Sequence, residues 1–196
     1  PNGAGKTTTL RMIATILQPT SGKIEVAGKD TVRDGQGVRS RIGFLTGSTG
    51  LYDRLTPGEL VSYFARLYNI PKEEAGKRKN ELFHRLDIHK FSGKRIGELS
   101  TGMKQKVSIA RTMIHDPEVV VFDEPTSGLD VITAESIIEL IRECQADQKT
   151  VIFSSHIMSE VDLLCDDLAI IHEGRILFND TMDAFRKQMK TDSLTQ

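Results

Sequence analysis

The chain opens with Pro1-Asn2-Gly3-Ala4-Gly5-Lys6-Thr7-Thr8, and these residues decide the fold. They match the end of a G-x-x-x-x-G-K-[ST] loop whose first Gly would precede Pro1. Glycines let backbone N–H groups close around phosphate oxygens, and a helix beginning at Lys6 adds the positive end of its dipole. We therefore predict a phosphate-binding loop. A helix cap with a chance Lys is the alternative.

In such a loop Lys6 reaches the β- and γ-phosphates of a nucleotide, and the Thr7 hydroxyl ligates Mg²⁺. The other residues that we predict to contact the nucleotide here are Asn2, Gly3, Ala4, Gly5 and Thr8. A loop of this kind needs a strand to launch it, and no such strand precedes Pro1. We therefore expect the sequence to be a fragment that hydrolyses nucleotide poorly by itself.

A second element is the apolar run Val119-Val120-Val121-Phe122, which ends in Asp123-Glu124. It predicts a buried strand that delivers Asp123 to its carboxyl end, where open α/β sheets hold their ligands. Asp123 is then a candidate Mg²⁺ ligand, and Glu124 a candidate general base for an attacking water. A strand that simply ends in solvated acids is the alternative.

The hydrophobic pattern predicts strands over residues 23–27, 41–45, 119–123, 150–154, 168–172 and 176–178. It predicts helices over residues 6–17, 56–68, 72–86, 100–115, 131–144 and 159–165, with a capping box at Thr56-Pro57-Gly58-Glu59. This alternation indicates an α/β fold, a mostly parallel sheet with helices on both faces. We expect one domain, with its core in residues 1–46 and 106–180, a helical subdomain in 47–105 and a tail in 181–196.

Composition narrows the class of protein. The 196 residues are 38% hydrophobic and 27% charged, and the formal net charge of -1 gives no electrostatic reason to expect nucleic acid as a partner. Cys144 and Cys165 lie in helical, partly apolar segments and are expected to be buried free thiols. No apolar run is long enough to span a bilayer, so we expect a soluble chain that docks onto another subunit for any membrane process.

The third element is Leu99-Ser100-Thr101-Gly102-Met103-Lys104-Gln105, a Ser helix cap with a nearby Gly. It is an ordinary helix cap or a second anion site. The segment resembles the signature motif of ABC ATPases, most often written Leu-Ser-Gly-Gly-Gln. Thr101 replaces the first Gly, and Met103 replaces the Gln.

The resemblance extends over the chain. Ser127-Gly128-Leu129-Asp130 is similar to the D-loop of these ATPases, and His156 is similar to their switch histidine, which contacts the γ-phosphate. The family implies a P-loop NTPase fold and ATP with Mg²⁺. It also implies a head-to-tail homodimer, in which Lys6 and Thr7 of one protomer and Ser100 and Gly102 of the other hold each nucleotide. Thr101 and Asp130 are further candidate nucleotide contacts. A separate membrane permease completes the transporter and places this subunit at the cytoplasmic face of the membrane.

One departure concerns the loop after residues 42–45. ABC ATPases usually have a Gln there, which meets Mg²⁺ and signals to the permease, whereas this sequence has Gly47. Three alternatives remain for the role of the missing Gln: it is filled by Ser48, by a water molecule, or by no group at all.

Two further stretches, residues 47–56 and 99–106, resemble the bacterial sodium-exporting ABC-2 group, which suggests Na⁺ as cargo. Export of a drug, lipid or polysaccharide is the alternative, as is a soluble ABC ATPase without a transport role. A nucleotide-binding switch that does not hydrolyse is a further alternative, against which Glu124 and His156 both argue. Lys6 and Ser100 are 94 positions apart without a heptad run between them, which excludes the chromosome-maintenance relatives.

Overall fold

The computed structural model describes residues 3–46 and 50–194, with side chains to residue 189. Its helices are α1 (Lys6–Ile13), α2 (Gly35–Arg39), α3 (Pro57–Leu67), α4 (Lys72–Arg85), α5 (Thr101–Met113), α6 (Val131–Ala146), α7 (Met158–Leu164) and α8 (Met182–Leu194). Its strands are β1 (Glu25–Val26), β2 (Lys29–Asp30), β3 (Ile42–Thr46), β4 (Val119–Asp123), β5 (Thr150–Ser154), β6 (Asp167–His172) and β7 (Arg175–Thr181). Short 3₁₀ helices cover Ile88–Phe91 and Ile96–Glu98.

The central sheet consists of three parallel strands in the order β3-β4-β5. The other four strands form two separate antiparallel pairs, β1 with β2 and β6 with β7. The second pair turns at Glu173-Gly174. The α/β fold is therefore confirmed, with the parallel strands concentrated at its centre.

Strand β4 is buried on both faces and separates two hydrophobic clusters. Val119 and Val121 pack with Leu10 of α1, whereas Val120 and Phe122 belong to the larger cluster. Residues of a strand alternate between its faces, so this run of apolar residues serves both sides of the sheet. Burying each such side chain stabilises the fold by about 1.5–3 kcal/mol.

The helical region between β3 and α5 shares the larger cluster with the sheet. Helix α3 is capped by Thr56, whose side chain accepts the Glu59 N–H while the Glu59 carboxylate accepts the Thr56 N–H, so the predicted capping box is confirmed. Leu60 and Val61 of α3 and Phe83 of α4 lie in the same cluster as Phe122. These helices are therefore anchored on the strand that ends in the two acids.

Two segments differ from the sequence prediction. Helix α1 ends at Ile13 rather than at residue 17, because Thr15 adopts a left-handed backbone with φ 62°. Within residues 181–196, which we expected to form a tail, Met182–Leu194 form helix α8. The Phe185 ring of this helix lies 5.3 Å from the ring of Phe178 on β7, a contact that sequence periodicity does not reveal.

Both cysteines carry free thiols. Cys144 is buried, and burial raises the pKa of its thiol to about 11, whereas Cys165 is only half-buried and so departs from the expectation. Among residues 3–46 and 50–194, no helix is both long and apolar enough to cross a membrane.

Candidate functional site

The site lies where the three parallel strands end. Thr46, Asp123 and Ser154 are aligned in register at the carboxyl ends of β3, β4 and β5. Glu124 follows directly after β4, and His156 follows two residues after β5. Because carboxyl ends of parallel strands share one edge of the sheet, residues distant in sequence meet here. We call Lys6, Asp123, Glu124, Ser154 and His156 the strand-end cluster.

Asp123 is held inside the sheet edge. It is only 7% exposed, and the Ser154 hydroxyl donates a hydrogen bond of 2.7 Å to its Oδ1. A buried carboxylate needs such a donor, because leaving it without hydrogen bonds costs free energy. The carboxylate is therefore kept in one orientation at the end of β4.

Glu124 has a strained backbone. Its φ of 50° lies in the left-handed region, which costs a non-glycine residue about 1–3 kcal/mol. The Glu124 N–H compensates by donating to both the carbonyl oxygen (3.1 Å) and the hydroxyl oxygen (3.0 Å) of Ser154. This bend turns the chain out of β4 immediately after Asp123.

The Glu124 carboxylate lies between two basic groups. Its Oε1 is 3.8 Å from Lys6 Nζ, and its Oε2 is 3.6 Å from His156 Nδ1. Both distances are longer than a direct hydrogen bond. The first and second predicted motifs and the predicted switch histidine are thus brought together around one carboxylate.

The loop before α1 uses glycine backbones. Gly3 and Gly5 have φ values of 77° and 107°, which glycine adopts without a Cβ clash. Gly5 is the N-cap of α1, and no side chain caps the first N–H groups of that helix. Such a helix start is suited to anions, because its N–H groups and dipole both point outward.

The remaining loop residues differ in exposure. Ala4 is buried, and its carbonyl oxygen accepts a 2.8 Å hydrogen bond from the N–H of Gly174 in the β6–β7 turn. Thr7 is half-buried and Thr8 is exposed. The predicted contact residue Asn2 lies outside the described residues, as do Gly47 and Ser48, so the departure at that loop stays a prediction.

The loop that carries His156 is fixed by Ser155. The Ser155 hydroxyl accepts the Ile157 N–H at 3.0 Å and donates to Glu160 at 2.7 Å. Glu160 is 8% exposed, so this contact ties the loop to the buried side of α7. The His156 side chain is about half exposed and can therefore contact a ligand.

The start of α5, in the third motif, lies against the start of α6, which follows Asp130. Ser100 caps α5 by accepting the Met103 N–H at 3.3 Å, and Asp130 caps α6 by accepting the Thr133 N–H at 3.0 Å. A Cβ at Gly102 would lie 2.9 Å from Thr133 Oγ1, so a side chain there would crowd the contact between α5 and α6. Hydrogen bonds from Thr133 lower the pKa of Asp130 and keep it ionised. We call Ser100, Thr101, Gly102 and Asp130 the helix-cap surface.

The helix-cap surface faces solvent. Ser100, Thr101 and Asp130 are exposed, and the caps of Ser100 and Asp130 are made within their own helices. One turn into α5, Gln105 Nε2 donates to the carbonyl oxygen of Pro125 at 2.8 Å. This bond links the start of α5 to the segment that follows Glu124.

Sequence reasoning missed two residues of this arrangement. It gave no role to Ser154, although a Ser at the end of β5, in register with Asp123, is a signal that the alignment of parallel strands provides. It quoted Gln105 within the third motif without a role. The spacing alone does not reveal that its amide reaches Pro125, which is 20 positions away.

The chemistry of the cluster suits a metal that takes few protein ligands. Among the described residues, no group of three or more His, Cys, Asp or Glu side chains is placed to hold a metal. Mg²⁺ binds through one or two carboxylates and completes its shell with water and substrate phosphates. Asp123 and the Thr7 hydroxyl offer the hard oxygen atoms that such a site requires.

These features define the class: a phosphate-binding loop, a buried strand ending in acids and an α/β sheet make a P-loop ATP-binding domain. The ABC transporter family matches residues 1–127. The chain is 45% identical over 194 residues to the ABC transporter ATP-binding protein NatA of Bacillus subtilis, covering 98% of the chain and 79% of NatA. It is 38% identical over 188 residues to the bacitracin transport ATP-binding protein BcrA of Bacillus licheniformis, covering 95% of the chain and 60% of BcrA.

A solved structure agrees with both relatives. The dimeric, post-hydrolysis state of an ATP-binding cassette with ADP and phosphate superposes with a TM-score of 0.82 and 26% identity, covering 93% of this chain and 82% of that one. The chain belongs to the ABC transporter family and is an ATPase domain of it. The family resemblance of the three motifs is thereby confirmed.

Proposed function

We propose that the protein binds and hydrolyses ATP in a head-to-tail dimer and powers export through a separate membrane permease, with Na⁺ as the cargo. One observation is the main support for the proposal that the protein hydrolyses ATP. The Glu124 carboxylate stands between Lys6 and His156 at the end of β4, with its backbone held in a strained conformation. Strain of this kind persists only where surrounding contacts hold it, and it concentrates at functional sites.

ATP is bound at the start of α1. The N–H groups of the loop that contains Gly3 and Gly5 surround the phosphates, and Lys6 neutralises the β- and γ-phosphates. In the structure, Lys6 Nζ lies 3.8 Å from Glu124 Oε1. Since the γ-phosphate is a stronger anion than a single carboxylate, Lys6 turns toward the nucleotide and releases Glu124 for the attacking water.

Glu124 acts as the general base. A water oxygen attacks the γ-phosphorus while the water gives a proton to the Glu124 carboxylate, and the bond from phosphorus to the bridging oxygen of ADP breaks. His156, with its loop fixed by Ser155 and Glu160, donates a hydrogen bond to the γ-phosphate. Thr7 and Asp123 hold Mg²⁺, which when bound offsets charge on the phosphate oxygens.

The second half of each site comes from a partner. Ser100, Thr101 and Gly102 at the start of α5, together with Asp130, meet the nucleotide bound by the other protomer. Exposed apolar side chains beside Asp130 support an interface there, because Val131 is 73% and Ile132 is 77% exposed. The ATP-binding cassette of similar fold is dimeric, which supports a dimer here as well.

The domain divides into an α/β core of residues 1–46 and 106–180 and a helical subdomain of residues 47–105. This subdomain contains α3 and α4. Association with the permease keeps the protein at the cytoplasmic face of the membrane. The net charge of -1 gives no reason to expect nucleic acid as a partner.

Na⁺ is proposed because residues 47–56 and 99–106 resemble the sodium-exporting group. BcrA, named for bacitracin transport, supports the second candidate, export of another cargo such as a drug, lipid or polysaccharide. No group in the strand-end cluster distinguishes the two, since cargo passes through the permease. A soluble ABC ATPase without a permease is the remaining alternative.

The test uses membrane vesicles that contain the protein and the permease encoded next to it. ATP-dependent Na⁺ efflux is measured with the wild type and with Glu124→Gln. Efflux that the substitution abolishes supports both the cargo and the hydrolytic role. ATPase activity without Na⁺ efflux would keep the exporter and discard sodium, and an absence of ATP hydrolysis would overturn the whole proposal.

A further inference from the structure

Ser154 is the last residue of β5 and lies at the centre of the strand-end cluster. It is 7% exposed and pairs in register with Asp123 of the neighbouring strand. Its hydroxyl donates to Asp123 Oδ1 at 2.7 Å. A hydrogen bond from a hydroxyl to a carboxylate at this distance is charge-assisted and belongs to the stronger kind in proteins.

The same hydroxyl oxygen also accepts the Glu124 N–H at 3.0 Å. One side chain thus joins the two consecutive acids of the site. The hydrogen bonds run in one direction, from the Glu124 N–H to Ser154 Oγ and from the Ser154 O–H to Asp123 Oδ1. Each polarises the next, so the hydroxyl orients the buried carboxylate and supports the left-handed backbone of Glu124.

The residue type is informative in its own right. Buried strand positions favour Val, Ile and aromatic residues, and the preceding residues of β5 are Val151, Ile152 and Phe153. A Ser at the buried end of this strand departs from that pattern. Such local departures are expected where a side chain serves a site rather than the core.

We propose that Ser154 is a positioning residue for ATP hydrolysis, which acts by orienting Asp123 and fixing the backbone of Glu124. The inference rests on the proposed function, since it deepens the role of the same site. Ser154 binds neither the nucleotide nor the water. It fixes the orientation of the Asp123 carboxylate, which is the proposed Mg²⁺ ligand. It also fixes the backbone position from which the Glu124 side chain extends.

The experiment compares Ser154→Ala, Ser154→Thr and the wild type by steady-state ATPase assays over a range of ATP and Mg²⁺ concentrations. Ser108→Ala serves as the matched control, because it removes another buried serine hydroxyl, from the middle of α5. Binding of a fluorescent ATP analogue and thermal unfolding are measured for every variant. These last two readouts detect a variant that has simply lost its fold.

For Ser154→Ala we expect kcat to fall about 10-fold or more, as loss of a hydrogen bond to a charged group predicts. The KM for ATP should stay near wild type, and half-maximal activity should require more Mg²⁺. The unfolding temperature should fall modestly, because Asp123 loses its buried hydrogen-bond donor, and Ser154→Thr should restore it. Ser154→Thr, which keeps the hydroxyl, should restore most of kcat, and Ser108→Ala should behave as the wild type.

A Ser154→Ala protein with wild-type kcat and Mg²⁺ dependence would overturn the inference. So would a loss that follows a lowered unfolding temperature and that Ser154→Thr does not restore, because it would assign Ser154 to stability alone. No turnover by the wild type, tested as the full-length protein with its permease, would instead overturn the proposed function.

Discussion

The strand-end cluster and the helix-cap surface are organised in opposite ways. In the cluster, Lys6 and His156 converge on one carboxylate within 3.6–3.8 Å, although their elements are far apart in sequence. On the helix-cap surface, Ser100 and Asp130 use their side chains to cap their own helices and remain exposed. The difference fits the proposed function, in which one copy of the chain assembles the hydrolytic half of a site and a second copy supplies the other half.

The largest effect should come from breaking the cluster at its centre. Glu124→Gln keeps the size of the side chain but removes the base, so ATP hydrolysis should fall about 100- to 10,000-fold while ATP binding is kept. Glu118→Gln is the matched control, because Glu118 is an exposed acid just before the other end of β4. Both rates are measured by phosphate release. Equal turnover by the two variants would remove Glu124 from the mechanism.

Breaking the helix-cap surface should have a comparable but smaller effect. Ser100→Glu places a negative charge where we expect phosphate from the partner's site, so hydrolysis should fall about 100-fold, as when an oxyanion-stabilising donor is lost. Nucleotide binding by the separated protomer should be unchanged. Ser100→Ala separates this effect from the loss of the helix cap. If Ser100→Glu hydrolyses ATP as well as Ser100→Ala does, Ser100 faces no phosphate.

A buried histidine outside both regions should affect stability rather than catalysis. His115 stacks on Tyr68 with ring centroids 3.8 Å apart, and one ring nitrogen lies 3.1 Å from the Ile42 carbonyl oxygen. Burial lowers the pKa of His115 from 6.5 to about 4. Between these two pKa values, His115 is protonated in the unfolded chain but neutral in the folded chain. Stability from this group should be complete above pH 6.5 and fall by about 3 kcal/mol as the pH drops to 4.

Urea unfolding of the wild type and His115→Phe at pH 7 and at pH 4.5 measures this effect. The aromatic replacement keeps a ring against Tyr68 but cannot be protonated, so the wild type should lose more stability than the variant on acidification. The same loss in both proteins would contradict a neutral, buried His115.

The smallest effect concerns how α5 and α6 fit at the helix-cap surface. Gly102→Ala places a Cβ 2.9 Å from Thr133 Oγ1, which should lower the free energy of unfolding by about 1–3 kcal/mol through overpacking. Thermal unfolding is measured for Gly102→Ala, Thr133→Ala and the double variant. In the double variant the added methyl group meets no hydroxyl, so its cost should shrink. Purely additive effects would mean that the two residues do not compete for space.

The sequence predicted the strands at the site better than their surroundings. Strands β4 and β5 begin and end where the apolar runs do, because each run is short, rich in Val, Ile and Phe and ends in polar residues. The parallel alignment of Asp123 with Ser154 follows from the βαβ order, yet the hydroxyl bridge between them depends on register and became visible only in three dimensions.

The end of α1 and the existence of α8 could not be predicted in the same way. The helical periodicity of the sequence continues past Ile13, but the left-handed backbone of Thr15 ends the helix. Tertiary packing, rather than local helix propensity, decides this end. Helix α8 is mostly polar, and its contact with β7 through Phe185 and Phe178 is long-range. Sequence patterns report local preferences, and both features are decided by contacts between elements.

The division of each site between two protomers is tested most directly by mixing two inactive variants. Lys6→Ala loses the phosphate-binding half, and Ser100→Glu loses the half donated to the partner. In a mixed head-to-tail dimer one site carries both defects and the other carries neither. We predict that a 1:1 mixture regains up to about one quarter of wild-type turnover, since half of the dimers are mixed and each has one intact site. A mixture as inactive as its two components would contradict the account, because it would place both halves of each site in one chain.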